Sequence, residues 1–136
     1  MSLTPQQAVD DMSAMFLAVA GGYTIHWENV KKDRSSTQDP WFVYMVRHTI
    51  GQQDSLGGIG SRSFLRAGQI VVAVYTPVGN GLSESYTLAK LVTDAYEGKA
   101  SPNGVWFRNV RVNEIGVDGD FHQTNVIIEF QYHEQK

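Results

Sequence analysis

The 136-residue chain reads as a single α+β domain, with a mostly antiparallel or mixed β-sheet of about five strands and two α-helices packed on one face. Three observations lead there. Two segments carry apolar residues at three- and four-residue steps, the middle of the chain holds a nearly unbroken apolar run (QIVVAVYT), and the last third alternates apolar and polar residues around an Asp-Gly turn. No repeat and no linker divides the chain, so residues 1–136 form one unit.

Thr4-Pro5-Gln6-Gln7 opens the first helix, with Thr as N-cap, Pro at the first helical position and Gln three residues after the cap. The helix runs from about 5 to 19. Val9, Met12, Phe16 and Val19 give it an apolar stripe, Asp10, Asp11 and Ser13 point away, and Gly21-Gly22 ends it. Tyr23 to Trp27 is β-branched and aromatic and reads as a short strand, followed by a polar loop from Glu28 to Pro40. The run from Trp41 to Ile50 begins as a strand suited to burial on both faces.

Gly51 to Gly60 holds four glycines and reads as a loop or the tip of a long hairpin, with Ser61 to Phe64 extending the returning strand. Gln69 to Thr76 is the most apolar strand and belongs at the centre of the sheet. A second helix spans Ser83 to Glu97, with Leu88, Leu91, Val92, Ala95 and Tyr96 on its core face and Gly98 as a left-handed cap. Val105 to Ile115 and Phe121 to His133 are two strands joined by Gly116-Val117-Asp118-Gly119. In the second of these, Val126, Ile128, Phe130 and Tyr132 face the core. In the first, Trp106, Val110 and Val112 share one parity and Val105 and Phe107 the other, which calls for a bulge.

Composition narrows the function. A net charge of -3 is the wrong sign for a surface that neutralises phosphates, and the absence of cysteine rules out disulfides, thiolate zinc sites, iron–sulfur clusters and thiol catalysis. The opening MSLTPQQAVDDM lacks a basic n-region and no apolar run has the length of a membrane span, so the expectation is a soluble cytoplasmic protein.

No catalytic template fits. Gly79-Asn80-Gly81 stands where a phosphate-cradling turn would, between a strand and a helix. The dinucleotide fingerprint would need glycine at position 84, which is Glu84, and no Gly-Lys-Ser/Thr follows, so the turn reads as a scaffold corner. His26, His48, His122 and His133 show no metal-ligand spacing, and Asp10, Asp11, Asp118 and Asp120 are not placed as catalytic pairs. Gly58-Ile59-Gly60-Ser61-Arg62 lacks the strand-to-helix context of a nucleophile elbow. Arg47, Arg62 and Arg66 on the long hairpin could cluster near Tyr44 and Phe64, either as a stacking surface or as charges facing another subunit.

The whole succession resembles the tail terminator-like proteins of tailed bacteriophages: a capped N-terminal helix, the strand WFVYMV, the approach RAGQIVVAVYTPVGNG, an amphipathic helix closing in Gly, and a hairpin ending FQYHE. Arg62 to Gly81 carries it best. The resemblance implies a virion structural protein of a phage or prophage and not an enzyme. It would assemble in the host cytoplasm as a hexameric ring on the head-proximal end of the tail, ending tube polymerisation and supplying the head-joining surface. Implied partners are other copies of the chain, the tail tube protein and a head–tail joining protein, with DNA passing through the ring without specific binding and with no cofactor and no membrane. A closed ring with two unlike faces suits that task. The loops from Glu28 to Pro40 and from Gly51 to Ser61 are the natural contact elements. The candidate interface charges are Arg34, Arg47, Asp54, Arg62, Arg66 and Asp118. Two other readings stay open: a head–tail connector or other neck protein, and a small-molecule binding protein or enzyme using the Gly79 to Gly81 turn.

Overall fold

The computed structural model describes residues 3–27, 39–79 and 82–136. Seven elements follow in order: α1 (Pro5–Ala20), β1 (Thr24–Trp27), β2 (Trp41–Gln53), β3 (Ser63–Pro77), α2 (Ser83–Tyr96), β4 (Trp106–Asp118) and β5 (Phe121–Gln135). They form an α+β domain around one five-stranded mixed sheet of order β1-β2-β3-β5-β4. β1 runs parallel to β2, and every other pairing is antiparallel. The apolar strand β3 is central, as its composition predicts.

The helix start is the one the sequence predicts. Gln7 N–H donates to Thr4 Oγ1 at 3.2 Å and Thr4 N–H donates to Gln7 Oε1 at 3.0 Å, so two donors that a helix terminus would otherwise orphan satisfy each other's residues. The α1 stripe is centred one residue from expectation. Ala8, Met12, Phe16 and Ala20 are buried at four-residue steps, while Val9 and Val19 flank them. In α2, Ala89 is buried and Leu91 only half-buried, a similar small rotation. The small alanines of α2 let it lie close to β3, β4 and β5, whereas α1 lies closest to α2 and reaches the sheet through long side chains such as Phe16.

Both helices pack on one face. Phe16 stands at the centre, 4.9 Å from the Tyr44 ring in a stacked arrangement and edge-on to Phe42 at 5.4 Å and Trp27 at 6.0 Å. Tyr96 of α2 donates its hydroxyl hydrogen bond to the Met12 carbonyl of α1 at 2.8 Å, fixing one helix against the other inside the core. Burial raises the pKa of that hydroxyl and pushes the Tyr44 hydroxyl up to about 12, so both remain neutral. A smaller cluster occupies the opposite face, where Trp41 stacks on Tyr75 at 4.1 Å with Phe121 edge-on. β2 is thus buried on both faces only at its start, through Trp41 on one side and Phe42 and Tyr44 on the other.

Two boundaries differ from the sequence reading. Gly51 to Gln53 belong to β2, because they continue pairing with Arg66, Leu65 and Phe64, so the connecting loop shrinks to 54–62. β4 runs on through Gly116 to Asp118, and the two-residue turn is Gly119-Asp120, not a turn begun at Gly116. Gly119 supplies a φ of 63° at the first turn position, which a type II′ hairpin requires. The bulge expected in β4 lies between Arg108 and Arg111, where Asn109 takes a φ of 52°. It shifts the alternation by one, so Phe107 before it and Val110 after it both pack on the core.

Phe16→Ala should lower unfolding free energy by about 3–5 kcal/mol, because the ring's removal opens a cavity among three aromatic neighbours. Leu17→Ala, at the exposed next position, should cost less than about 1 kcal/mol. Urea denaturation of the two variants measures the difference.

Candidate interface at the end of the long hairpin

Beyond the reach of the helices, β2, β3 and the end of β5 continue together and carry a loop at their tip. Parity decides which side chains meet there. On the helix side of the sheet, Phe64, Arg66 and Gly68 of β3 stand beside Glu134, Tyr132 and Phe130 of β5. His48 of β2 pairs with Gly68, where a Cβ would lie 2.0 Å from the Arg47 carbonyl oxygen, so only glycine fits beneath the bulge that follows His48.

These residues form one polar cluster. Arg66 Nε donates to Glu134 Oε1 at 3.1 Å, with side chains only 19% and 9% exposed, and its guanidinium lies 5.2 Å over the Phe64 ring. His48 Nε2 is 2.8 Å from the Tyr132 hydroxyl, and its ring sits edge-on to Phe130. Burial and the nearby Arg66 charge lower the His48 pKa below its usual 6.5. Burial first and the Glu134 carboxylate second raise the Tyr132 hydroxyl to about 12, with Arg66 opposing them. The cluster therefore holds a neutral histidine and a neutral tyrosine beside one enclosed ion pair.

The loop itself is organised. Asp54 N–H donates to the Ser63 carbonyl at 2.9 Å and Ser63 N–H to Ser55 Oγ at 2.8 Å. Ser61 N–H donates to the Gly58 carbonyl at 3.0 Å, and Arg62 Nε to the Gly57 carbonyl at 3.0 Å. Arg62 and Lys136 exchange two backbone hydrogen bonds, and Asp54 Oδ2 is 3.1 Å from His133 Nδ1, a pair fully charged only while the histidine is protonated. On this fixed backbone Leu56 is 99% and Ile59 91% exposed.

Of the predicted interface charges, Asp54, Arg62 and Arg66 come together at this end. Arg47 does not join them. It stands opposite Gln69 on the other face of the sheet, so the three arginines form no basic cluster. Asp118 lies at the far end of the sheet, paired with Phe121, and Arg34 falls outside the described residues together with Asn80, Gly81 and most of the loop from Glu28 to Pro40. Asp11 serves the scaffold: its carboxylate accepts from Asn103 Nδ2 at 2.8 Å and from Asn103 N–H at 3.2 Å. Glu134, Tyr132 and His48 are not among the predicted interface residues, although extending the β5 alternation two residues past Tyr132 places Glu134 on the inner face, diagonal to Arg66.

Shallow concavities lie elsewhere. One of about 400 Å³ opens between α2 and β4, lined by Tyr86, Ala89, Lys90, Thr93, Val112 and Glu114, and Tyr86 donates to Glu114 Oε1 across it at 2.5 Å. Another, of about 390 Å³, includes Tyr23, Pro40, Ser83 and Glu84 near the start of α2. Among the described residues no group of His, Asp and Glu could hold a metal ion, and no helix is long and apolar enough to cross a membrane.

The fold defines a class of protein: a one-sheet α+β domain with helices on a single face and an ordered loop projecting from the sheet end. No family model and no curated protein matches the chain. A solved structure, whose name carries no functional description, matches with a TM-score of 0.65 over 90% of this chain and 94% of its own, at 14% sequence identity. At that identity the likeness establishes a shared fold.

The lowered His48 pKa sets a pH dependence. Between its folded value and 6.5 the unfolded chain binds more protons, so this group's contribution to stability is complete above about pH 6.5 and is lost as pH falls. His48→Gln should flatten the fall of unfolding free energy as pH drops below about 6.5 relative to the wild type, as read by urea denaturation at a series of pH values.

Proposed function

We propose that the chain is a virion structural protein of a phage or prophage, a tail terminator that caps the tail tube as a ring and offers the surface to which the head is joined. The sequence resemblance from Arg62 to Gly81 supports the reading. The observation that carries it furthest is the ordered loop 54–62, which holds Leu56 and Ile59 in solvent on a backbone fixed by its own hydrogen bonds. An ordered loop with exposed aliphatic side chains is a contact element, since its apolar surface gains only when another molecule covers it.

In this reading the protein acts by position and not by turnover. Each copy contacts its neighbours, the tail tube protein and a head–tail joining protein, and its net charge of -3 lets DNA pass without being gripped. Assembly takes place in the host cytoplasm, and the mature location is the head-proximal end of the tail.

Electron microscopy of particles from a phage or prophage lacking this gene tests the proposal, with the wild-type gene restored in parallel. The expected result is headless tails whose tubes have uncontrolled length. Tails of normal length that fail only to join heads would make the protein a neck connector, and normal infectious particles would overturn both structural roles.

A further inference from the structure

The chain contains two Asn-Gly pairs, Asn80-Gly81 and Asn103-Gly104, and the second lies within the described residues. Such a pair can modify itself, because glycine has no side chain to keep its backbone nitrogen away from the carboxamide of the preceding asparagine. Asn103 is exposed in the segment that joins α2 to β4. It stands at the third position of the turn Ser101-Pro102-Asn103-Gly104, which Gly104 N–H closes by donating to the Ser101 carbonyl at 3.2 Å. Ser101 N–H donates to the Val105 carbonyl at 2.8 Å and Val105 N–H to Ser101 Oγ at 2.9 Å, so the turn is pinned where β4 begins.

A second set of bonds ties the turn to the first helix. Asp11 Oδ1 accepts from Asn103 Nδ2 at 2.8 Å, and Asp11 Oδ2 accepts from the Asn103 backbone N–H at 3.2 Å. One carboxylate on α1 thus holds the asparagine by its amide and by its backbone.

We infer that Asn103 is a deamidation site guarded by Asp11, and that its conversion unties α1 from the α2–β4 connection. In the reaction the Gly104 backbone nitrogen gives its proton to a solvent hydroxide and bonds to Asn103 Cγ. The Cγ–Nδ2 bond breaks, and Nδ2 leaves as ammonia after taking its third hydrogen from water. Water then adds to the five-membered imide and opens it at either carbonyl, leaving aspartate or isoaspartate at position 103. Three contacts oppose the first step. The Ser101 carbonyl holds the attacking N–H, Asp11 Oδ1 holds the leaving amide, and the Asp11 carboxylate disfavours the negative charge that builds on the nitrogen and then on the carboxamide oxygen. Once the amide is lost the balance reverses. The donor that faced Asp11 Oδ1 is gone, a second carboxylate takes its place, and like charges push the turn and the helix apart. The guard is expelled by the product, so the release runs one way.

Mass spectrometry of tryptic peptides tests the inference. Wild type, Asp11→Ala and the wild type unfolded in guanidinium are held at mildly alkaline pH, and the peptide Ala100–Arg108 is followed for the one-dalton gain that replaces an amide with an acid. The peptide Ala67–Lys90 carries the other pair and serves as an internal control. The expected order is unfolded chain fastest, then Asp11→Ala, then wild type, with Asp11→Ala on the order of 5-fold faster than wild type, as loss of one hydrogen bond to a charged group allows. The rate in Ala67–Lys90 should not respond to Asp11→Ala. In parallel, Asn103→Asp should lower the thermal midpoint by about 2–5 °C. The exchange Asp11→Asn/Asn103→Asp, which again sets an amide against a carboxylate, should recover most of that loss. Equal rates in wild type and Asp11→Ala, a rise in both peptides together, or an Asn103→Asp midpoint equal to that of the wild type would overturn the inference.

Discussion

The pairing of β3 with β5 is the constraint on which the rest of the molecule depends. It runs from Ser63 opposite Gln135 to Pro77 opposite Phe121 without a register shift, while the pairings on either side of it, β2–β3 and β4–β5, both contain shifts. An unbroken ladder of this length fixes, for every side chain of both strands, which face of the sheet it takes. Ile70, Val72, Val74, Val126 and Ile128 then form a continuous floor for the helices. A one-residue slip would turn that floor outward and carry the Arg66–Glu134 pair away from the enclosed side of the sheet.

The same ladder explains how a small domain holds an ordered loop so far from its helices. Beyond Ala67 and Gln131 no β4 residue pairs with β5, yet Leu3 N–H donates to the His133 carbonyl at 3.1 Å and Arg62 exchanges hydrogen bonds with Lys136. Backbone groups that would otherwise be open are thereby paired. The enclosed Arg66–Glu134 bridge and the His48–Tyr132 hydrogen bond fix the side chains above them. An enclosed ion pair is weak evidence for net stability, because desolvation opposes the attraction. Its clearer consequence is geometric, since neither partner can leave without stranding the other's charge.

How much of this was legible in the sequence follows from which signals are local. The capping box at Thr4 and Gln7, the apolar β3 and the alternation of β5 are local patterns, and they gave the two helices, the central strand and the inner face. The β4 bulge was legible from the clash of parity between Phe107 and Val110. The ends of β2 and β4 were not, because Gly51 and Gly116 look like loop residues until pairing partners across the sheet hold them in strands. The charge cluster was half legible: Asp54, Arg62 and Arg66 stand close together in sequence, but His48, Tyr132 and Glu134 join them only through long-range register. Arg47 fell to the opposite face because strand parity, which separates it from Arg66 across the hairpin, outweighs nearness in sequence. Leu56 and Ile59 were visible as apolar residues among glycines, a pattern that carries no core signal and gains meaning only once the loop proves ordered.

The central claim is that this domain works as a contact module, assembled from many copies through its projecting loop. High-resolution cryo-electron microscopy of the tail end in intact particles tests it most directly. The account predicts a closed ring of copies at the head-proximal end of the tube, with the loop 54–62 of each covered by a neighbouring molecule. Absence of the protein from the particle, or a single copy with that loop facing solvent, would contradict it.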